Sequence, residues 1–332
     1  MTPLPTVPSP AGGRPAGTGA PAAPARAAPL PPPGDHGGDG ARVAAALGLS
    51  PGEVLDLSAS LCPVAPDPTA IVSGHLDALR RYPDPAAATD ALAAAMGVER
   101  SHLLLTNGGA EAIALLGAEI GGQVEEPDFS LYPRHGGPRW RSNPNNPLGT
   151  LADSGETAGV WDEAFWPLAT GTWTRGDHLR GTPVVGSLTK LLACPGLRAG
   201  YVLSADGELI ERLRRAQPAW AVNGLVAAAL PEWLERVDLP GWSAATSALR
   251  SRLAATLRSR GFAVRAGHGP WVLVEGAAGL RARLLPQAVV VRDCTSFGLP
   301  GTVRVAVPDE AGLAAFTHAL DRALDSPGEP GP

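Results

Sequence analysis

Ser187-Leu188-Thr189-Lys190-Leu191-Leu192-Ala193-Cys194-Pro195-Gly196-Leu197-Arg198-Ala199-Gly200-Tyr201 carries the single lysine among the 27 basic residues of this 332-residue chain. Two short apolar runs flank it, Val184-Val185 and Tyr201-Val202-Leu203, and both read as strands. A lysine amine forms a Schiff base with an aldehyde, which no other standard side chain does. Arginine fills every other basic position, so the surviving amine reads as a nucleophile. The alternative is a composition that exchanged lysine for arginine throughout and left one behind. What surrounds Lys190 decides between them.

Working outward from the lysine, strand and helix signals alternate from Asp67 onward. Asp67-Pro68 is a helix start, followed by Ile71, Val72, Leu76 and Leu79 at helical spacing. Leu103 to Leu105 is a short buried strand that runs into Asn107-Gly108-Gly109-Ala110 and a helix through Leu116. Asp206 caps a helix carrying Leu209, Ile210 and Leu213, and Ala244 to Arg260 is a longer one. Strands follow at Trp271–Val274, Val289–Val291 and Val303–Val307, then a last helix from Asp309. Such interleaving predicts an α/β fold with a largely parallel sheet.

The first forty residues are Pro, Ala and Gly with few large apolar side chains, so burial cannot offset their ordering entropy. They read as a disordered tail, 1–40, without the basic start and apolar run of a signal peptide. An N-terminal arm (41–66), a large domain (67–222), a smaller α+β domain (223–325) and a loose end (326–332) follow. The 44% hydrophobic content suffices for a sizeable core, and no apolar stretch is long enough for a membrane helix. Cys62, Cys194 and Cys294 lack metal-ligand spacing, which predicts no metal site and fits a reducing cytoplasm. A net charge of −5 with scattered basic residues argues against nucleic acid.

The strand, Gly-Gly turn and helix at Leu103–Leu116 is an anion-binding geometry, because free amides at a helix start point outward and glycines allow close approach. By itself it is common. Ser187 and Arg198 flank Lys190 and could place a hydroxyl and a guanidinium on the same phosphate. Asp162, in Val160-Trp161-Asp162-Glu163, is either a satisfied core group or the partner of a buried cation. Asn143-Pro144-Asn145-Asn146-Pro147-Leu148-Gly149 is a rigid, turn-forming run. Together these features suit pyridoxal 5′-phosphate (PLP), a cofactor that carries the chemistry while the protein orients and tunes it.

In these residues and this order the chain resembles the class I/II aminotransferases of fold type I. Within them it is most similar to the branch of histidinol-phosphate aminotransferase and threonine-phosphate decarboxylase. The resemblance runs from about Leu57 to Val307. It implies PLP as cofactor, a cytoplasmic homodimer and a small, phosphorylated amino-acid substrate. It also implies a central, mostly parallel sheet beside the smaller domain. Residue by residue, Lys190 takes the cofactor's aldehyde and later moves the proton, Asp162 pairs with the pyridine nitrogen, and Asn146 donates to the 3-hydroxyl. Gly109, Ala110, Ser187 and Arg198 hold the phosphate, Tyr132 stacks on the ring, and Tyr82 reaches the neighbouring subunit's phosphate. Arg304 clamps the substrate carboxylate, and Arg292 is a candidate for its distal anion.

The Ser-Leu-Thr-Lys…Pro-Gly-Leu-Arg form, Trp220-Ala221-Val222-Asn223 and Arg292-Asp293-Cys294 resemble the decarboxylase of the cobalamin pathway, which makes decarboxylation the leading expectation. Transamination of a histidinol-phosphate-like amine and a non-catalytic, PLP-binding descendant are the alternatives. Phe165 stands where most aminotransferases carry a tyrosine that hydrogen-bonds the cofactor. Cys62 and Ala65 replace an Asn and a Gly of the family. The segments 133–142 and 150–160 are too short for a full parallel crossover, which predicts a reduced sheet with at least one strand absent after Tyr132.

Overall fold

The computed structural model describes residues 29–325, so most of the expected tail and the whole of the expected loose end lie outside the described residues. Among the described residues ten strands form two sheets: β1 (Leu55–Leu57), β2 (Leu103–Thr106), β3 (Trp140–Ser142), β4 (Val160–Asp162), β5 (Val184–Ser187), β6 (Gly200–Leu203), β7 (Ala263–Ala266), β8 (Trp271–Glu275), β9 (Val289–Asp293) and β10 (Val303–Ala306). The larger domain holds the five-stranded order β2-β6-β5-β4-β3, and the smaller one holds β1-β9-β10-β8-β7.

Both faces of the first sheet are covered, which is why β2 reads Leu-Leu-Leu rather than alternating. Leu103 and Leu105 pack with Trp161, Tyr201 and Trp233 on one face. Leu104 packs with Val160, Val185 and Val202 on the other, under the helix Gly108–Ile120. Burying each such leucine contributes roughly 1.5–3 kcal/mol.

β3, β4 and β5 pair in parallel. β6 is antiparallel to both β5 and β2, so β2 runs with the other three. The C-terminal ends of β2, β3, β4 and β5 therefore share one edge, and the reversed β6 brings its first residue, Gly200, to that edge. In open α/β sheets this is where ligands bind. Between the helix Gly108–Ile120 and β3 the described residues hold only an isolated bridge, Gln123 with Arg139. The connection from β3 to β4 carries no helix.

Three boundaries differ from expectation. The helix Gly224–Leu234, expected in the smaller domain, places Val226, Leu230 and Trp233 in the core of the larger one. The expected arm is part of the smaller domain: β1 pairs in parallel with β9, and Val43 and Ala44 pack on Leu285 and Val290. The described end of the expected tail, residues 29–40, is anchored. Arg281 donates to the Pro31 carbonyl at 3.0 Å, and Arg292 donates to the Gly34 and Asp35 carbonyls. No helix among the described residues is long and apolar enough to cross a membrane.

Candidate active site

A cavity of about 710 Å³ opens at the shared strand edge and reaches the smaller domain. Lys190 follows β5 on the one-turn helix Leu188–Leu191, and its carbonyl accepts the Cys62 N–H at 2.9 Å. Burial, then the positive charges of Arg304 and Arg198, pull the Lys190 ammonium down to about 8, with Asp162 opposing them. No group of three or more His, Cys, Asp or Glu side chains among the described residues could hold a metal.

Asp162 ends β4 and is buried at 8% exposure, deep enough for burial to raise its pKa. The Tyr132 hydroxyl donates to its Oδ2 at 2.7 Å and the Ala164 N–H to its Oδ1 at 2.8 Å. Tyr132 packs edge-on to Phe129 at 5.6 Å and against Trp140 at 5.5 Å, so the ring read as a stacking platform is also the carboxylate's hydrogen-bond donor. Phe165 lies edge-on to Trp271 at 4.7 Å on the cavity wall.

The start of the helix Gly108–Ile120 meets Ser187 and Arg198 across the edge. Gly108 has φ +79°, and a Cβ there would lie 2.7 Å from Arg198 Nη2. A Cβ on Gly109 would lie 3.3 Å from Ser187 Cβ, while Ser187 Oγ and Thr189 Oγ1 are 2.6 Å apart. The Glu111 carboxylate takes the Asn107 N–H, and Gly109 and Ala110, in the first turn where amides have no partner within the helix, line the cavity. Amides, two hydroxyls and a guanidinium around glycines suit a phosphate. With an amine and a buried carboxylate on neighbouring strand ends, this donor set fits PLP.

Asn146 is fixed from two sides. Its N–H donates to Ser142 Oγ at 2.8 Å, and Arg304 Nη1 donates to its Oδ1. Ser142 in turn donates to Asp128, whose carboxyl burial pushes up to about 6. Arg304 lies over Trp271 at 5.1 Å, and burial pulls it down to about 10. It sits directly opposite Arg292 in the β9–β10 register. Arg292 lines the cavity, but its guanidinium also clamps the Gly34 and Asp35 carbonyls and donates to Ser296 Oγ at 2.8 Å.

Tyr82 is absent from this cavity. It is 79% exposed and stacks on the exposed Trp220 at 4.6 Å. Sequence reasoning missed Thr189, His36, Phe297 and the Asp128–Ser142 support. Thr189 was legible beside Lys190; His36 lay inside the expected tail, and the other positions are set by contacts between distant segments.

A profile of the aminotransferase class I and II family matches residues 141–320, more than half the chain. The chain belongs to this family. Its enzymes use PLP as cofactor. The chain is 33% identical over 207 residues to histidinol-phosphate aminotransferase 2 of Methylococcus capsulatus, covering 55% of this chain and 54% of that protein. It is 28% identical over an alignment of 354 positions to the threonine-phosphate decarboxylase of Salmonella typhimurium, covering 86% of this chain and 96% of that one. Its fold is that of histidinol-phosphate aminotransferase from Sinorhizobium meliloti, solved with pyridoxal 5′-phosphate. That match has TM-score 0.74 and 15% identity, and covers 86% and 94% of the two chains.

Proposed function

We propose that this enzyme removes the carboxylate of a small phosphorylated amino acid, in the manner of a threonine-phosphate decarboxylase. The observation that carries this reading is the pair Arg292 and Arg304. Both are buried, they lie side by side on neighbouring strands, and both face the cavity that holds Lys190. Two such cations suit a ligand with a carboxylate and a second anion. Phe165 adds support, because a phenyl ring donates no hydrogen bond toward the cofactor's 3-hydroxyl.

In this reading Gly109, Ala110, Ser187, Thr189 and Arg198 hold the cofactor phosphate. Asp162 holds the ring nitrogen's proton and Tyr132 steadies that carboxylate. Bound there, PLP supplies an aldehyde for the lysine and a conjugated ring that takes up the electrons of the broken bond. Arg304, by donating to Asn146 Oδ1, turns the amide so that Nδ2 is left to donate to the 3-hydroxyl. The remaining N–H groups of Arg304 orient the substrate carboxylate, and those of Arg292 meet the distal anion. Once the carboxylate has left as carbon dioxide, Lys190 Nζ delivers a proton to the α-carbon, a task that an ammonium pulled down to about 8 suits near neutral pH.

Incubation with O-phospho-L-threonine is expected to release carbon dioxide and aminopropanol phosphate. The second reading, transamination of a histidinol-phosphate-like amine, draws on the Methylococcus relative. Glutamate-dependent formation of a new amino acid, with no carbon dioxide from O-phosphothreonine, would establish it and overturn the first. Three buried free thiols fit a reducing compartment, here assigned as the cytoplasm.

The active unit in this reading is a symmetric dimer. Tyr82 and Trp220 stack in the open, with Leu76 and Leu79 also exposed, an apolar surface suited to a second copy of this chain. Tyr82 then serves the partner's phosphate site. Mixing Tyr82→Phe with Lys190→Ala subunits is expected to restore activity, since heterodimers hold one site spared by both changes. A fully active monomer at low concentration sinks the idea.

A further inference from the structure

Phe297 stands where the two cavity arginines meet. It follows β9 on the turn Thr295–Phe297, is half-buried and lines the cavity. The Arg292 guanidinium lies over its ring at 5.3 Å and the Arg304 guanidinium at 5.7 Å. The strand register sets these cations directly opposite each other, a pairing that like charges disfavour. Their hydrogen-bond acceptors are all neutral: two backbone carbonyls, the Ser296 hydroxyl and the Asn146 amide. Among the described residues the buried Nε of each lacks a partner.

We propose that Phe297 sets the cavity's preference for ligands carrying two anionic groups. A ring face attracts a cation through its quadrupole, so one phenyl shared by two guanidiniums holds both close while keeping them apart. That fixes the spacing at which a carboxylate on Arg304 and a phosphate on Arg292 are read together. Arg304 has a second aromatic partner in Trp271, at 5.1 Å, whereas among the described residues Phe297 is the aromatic ring that Arg292 lies over. Loss of the ring therefore falls on the distal anion and spares the carboxylate. Phe297 is a positioning residue in this scheme, acting through the arginines, and the scheme rests on reading the cavity as a site for a phosphorylated amino acid.

The test uses 3-phosphoglycerate and glycerate, which carry a carboxylate with and without a phosphate and lack the amine needed for turnover. Calorimetric titration of the PLP-loaded wild type is expected to show preference for 3-phosphoglycerate. Phe297→Leu is expected to weaken that ligand about tenfold while changing glycerate by less than about twofold. Phe297→Tyr keeps a π face and is expected to restore the preference; Phe297→Met replaces the leucine variant if that one does not fold. An unchanged ratio in the leucine or methionine variant, or equal weakening of both ligands, overturns the role of Phe297. A wild type without preference for 3-phosphoglycerate instead overturns the two-anion reading of the cavity itself, and with it this proposal.

Discussion

Lys190→Arg is expected to lose turnover by at least about 10³-fold, along with the cofactor's visible absorbance, while circular dichroism and Tm hold. The chain has no other lysine, so no second side-chain amine can take over. Arginine preserves charge and approximate length, which separates loss of the amine from loss of packing. The wild-type apoprotein supplies a matching pH signature. The buried ammonium, pressed by Arg304 and Arg198, releases its proton near 8. Below that value the nitrogen lone pair is tied up; as pH rises through it the free amine accumulates. The rate of PLP capture is therefore expected to climb from about pH 6.5 to about pH 9 and then level. A yellow Lys190→Arg variant that borohydride fixes, or a capture rate flat across this range, would contradict the assignment.

Local chemistry made the larger sheet and most of its edge legible. Leu103–Leu105, Val184-Val185 and Tyr201–Leu203 are short, wholly apolar runs between turn signals, and each is a strand buried on both faces. The caps Asp67 and Asp206 bond to the Thr69 and Leu209 N–H groups as their position before a helix implies. Illegible features depend on segments far apart in the chain. The described residues before Gly40, 29–39, are held by Arg281 and Arg292, some 250 residues away. The helix Gly224–Leu234 is apolar enough to serve either domain, and nothing local says which core it joins. The sequence makes Arg292 a candidate for the distal anion, but that part of its guanidinium bonds the Gly34 and Asp35 carbonyls depends on a segment some 250 residues away. The resemblance implies a stacking ring at Tyr132; its bond to Asp162 requires the fold to bring two residues 30 apart together.

Asp162→Asn is expected to separate catalysis from stability. Removing the negative charge leaves nothing to hold a proton on the ring nitrogen, and turnover is expected to fall roughly 10²–10³-fold, the range for losing one preorganised electrostatic contact. The amide oxygen accepts the Ala164 N–H and the amide nitrogen donates to the Tyr132 hydroxyl oxygen, as a neutral carboxyl would, so the local frame survives. Stability should move the other way. Burial raises the Asp162 pKa, with Tyr132, the Ala164 amide and Lys190 only partly offsetting it. In the unfolded chain the same carboxyl titrates near about 3.9. At lower pH both forms are neutral, and aspartate and asparagine differ little. As pH rises, the unfolded state ionises first and is favoured, so the contribution of Asp162 to apoprotein stability falls until the folded carboxyl ionises too. The apo Tm of Asp162→Asn is accordingly expected to match wild type near about pH 4 and to exceed it increasingly toward neutrality. Thermal melts across that window, run beside turnover at neutral pH, check both halves. If Tm falls together with activity, Asp162 is a structural group. If neither moves, the carboxylate has no part in the chemistry, and the ring nitrogen must be held by another residue.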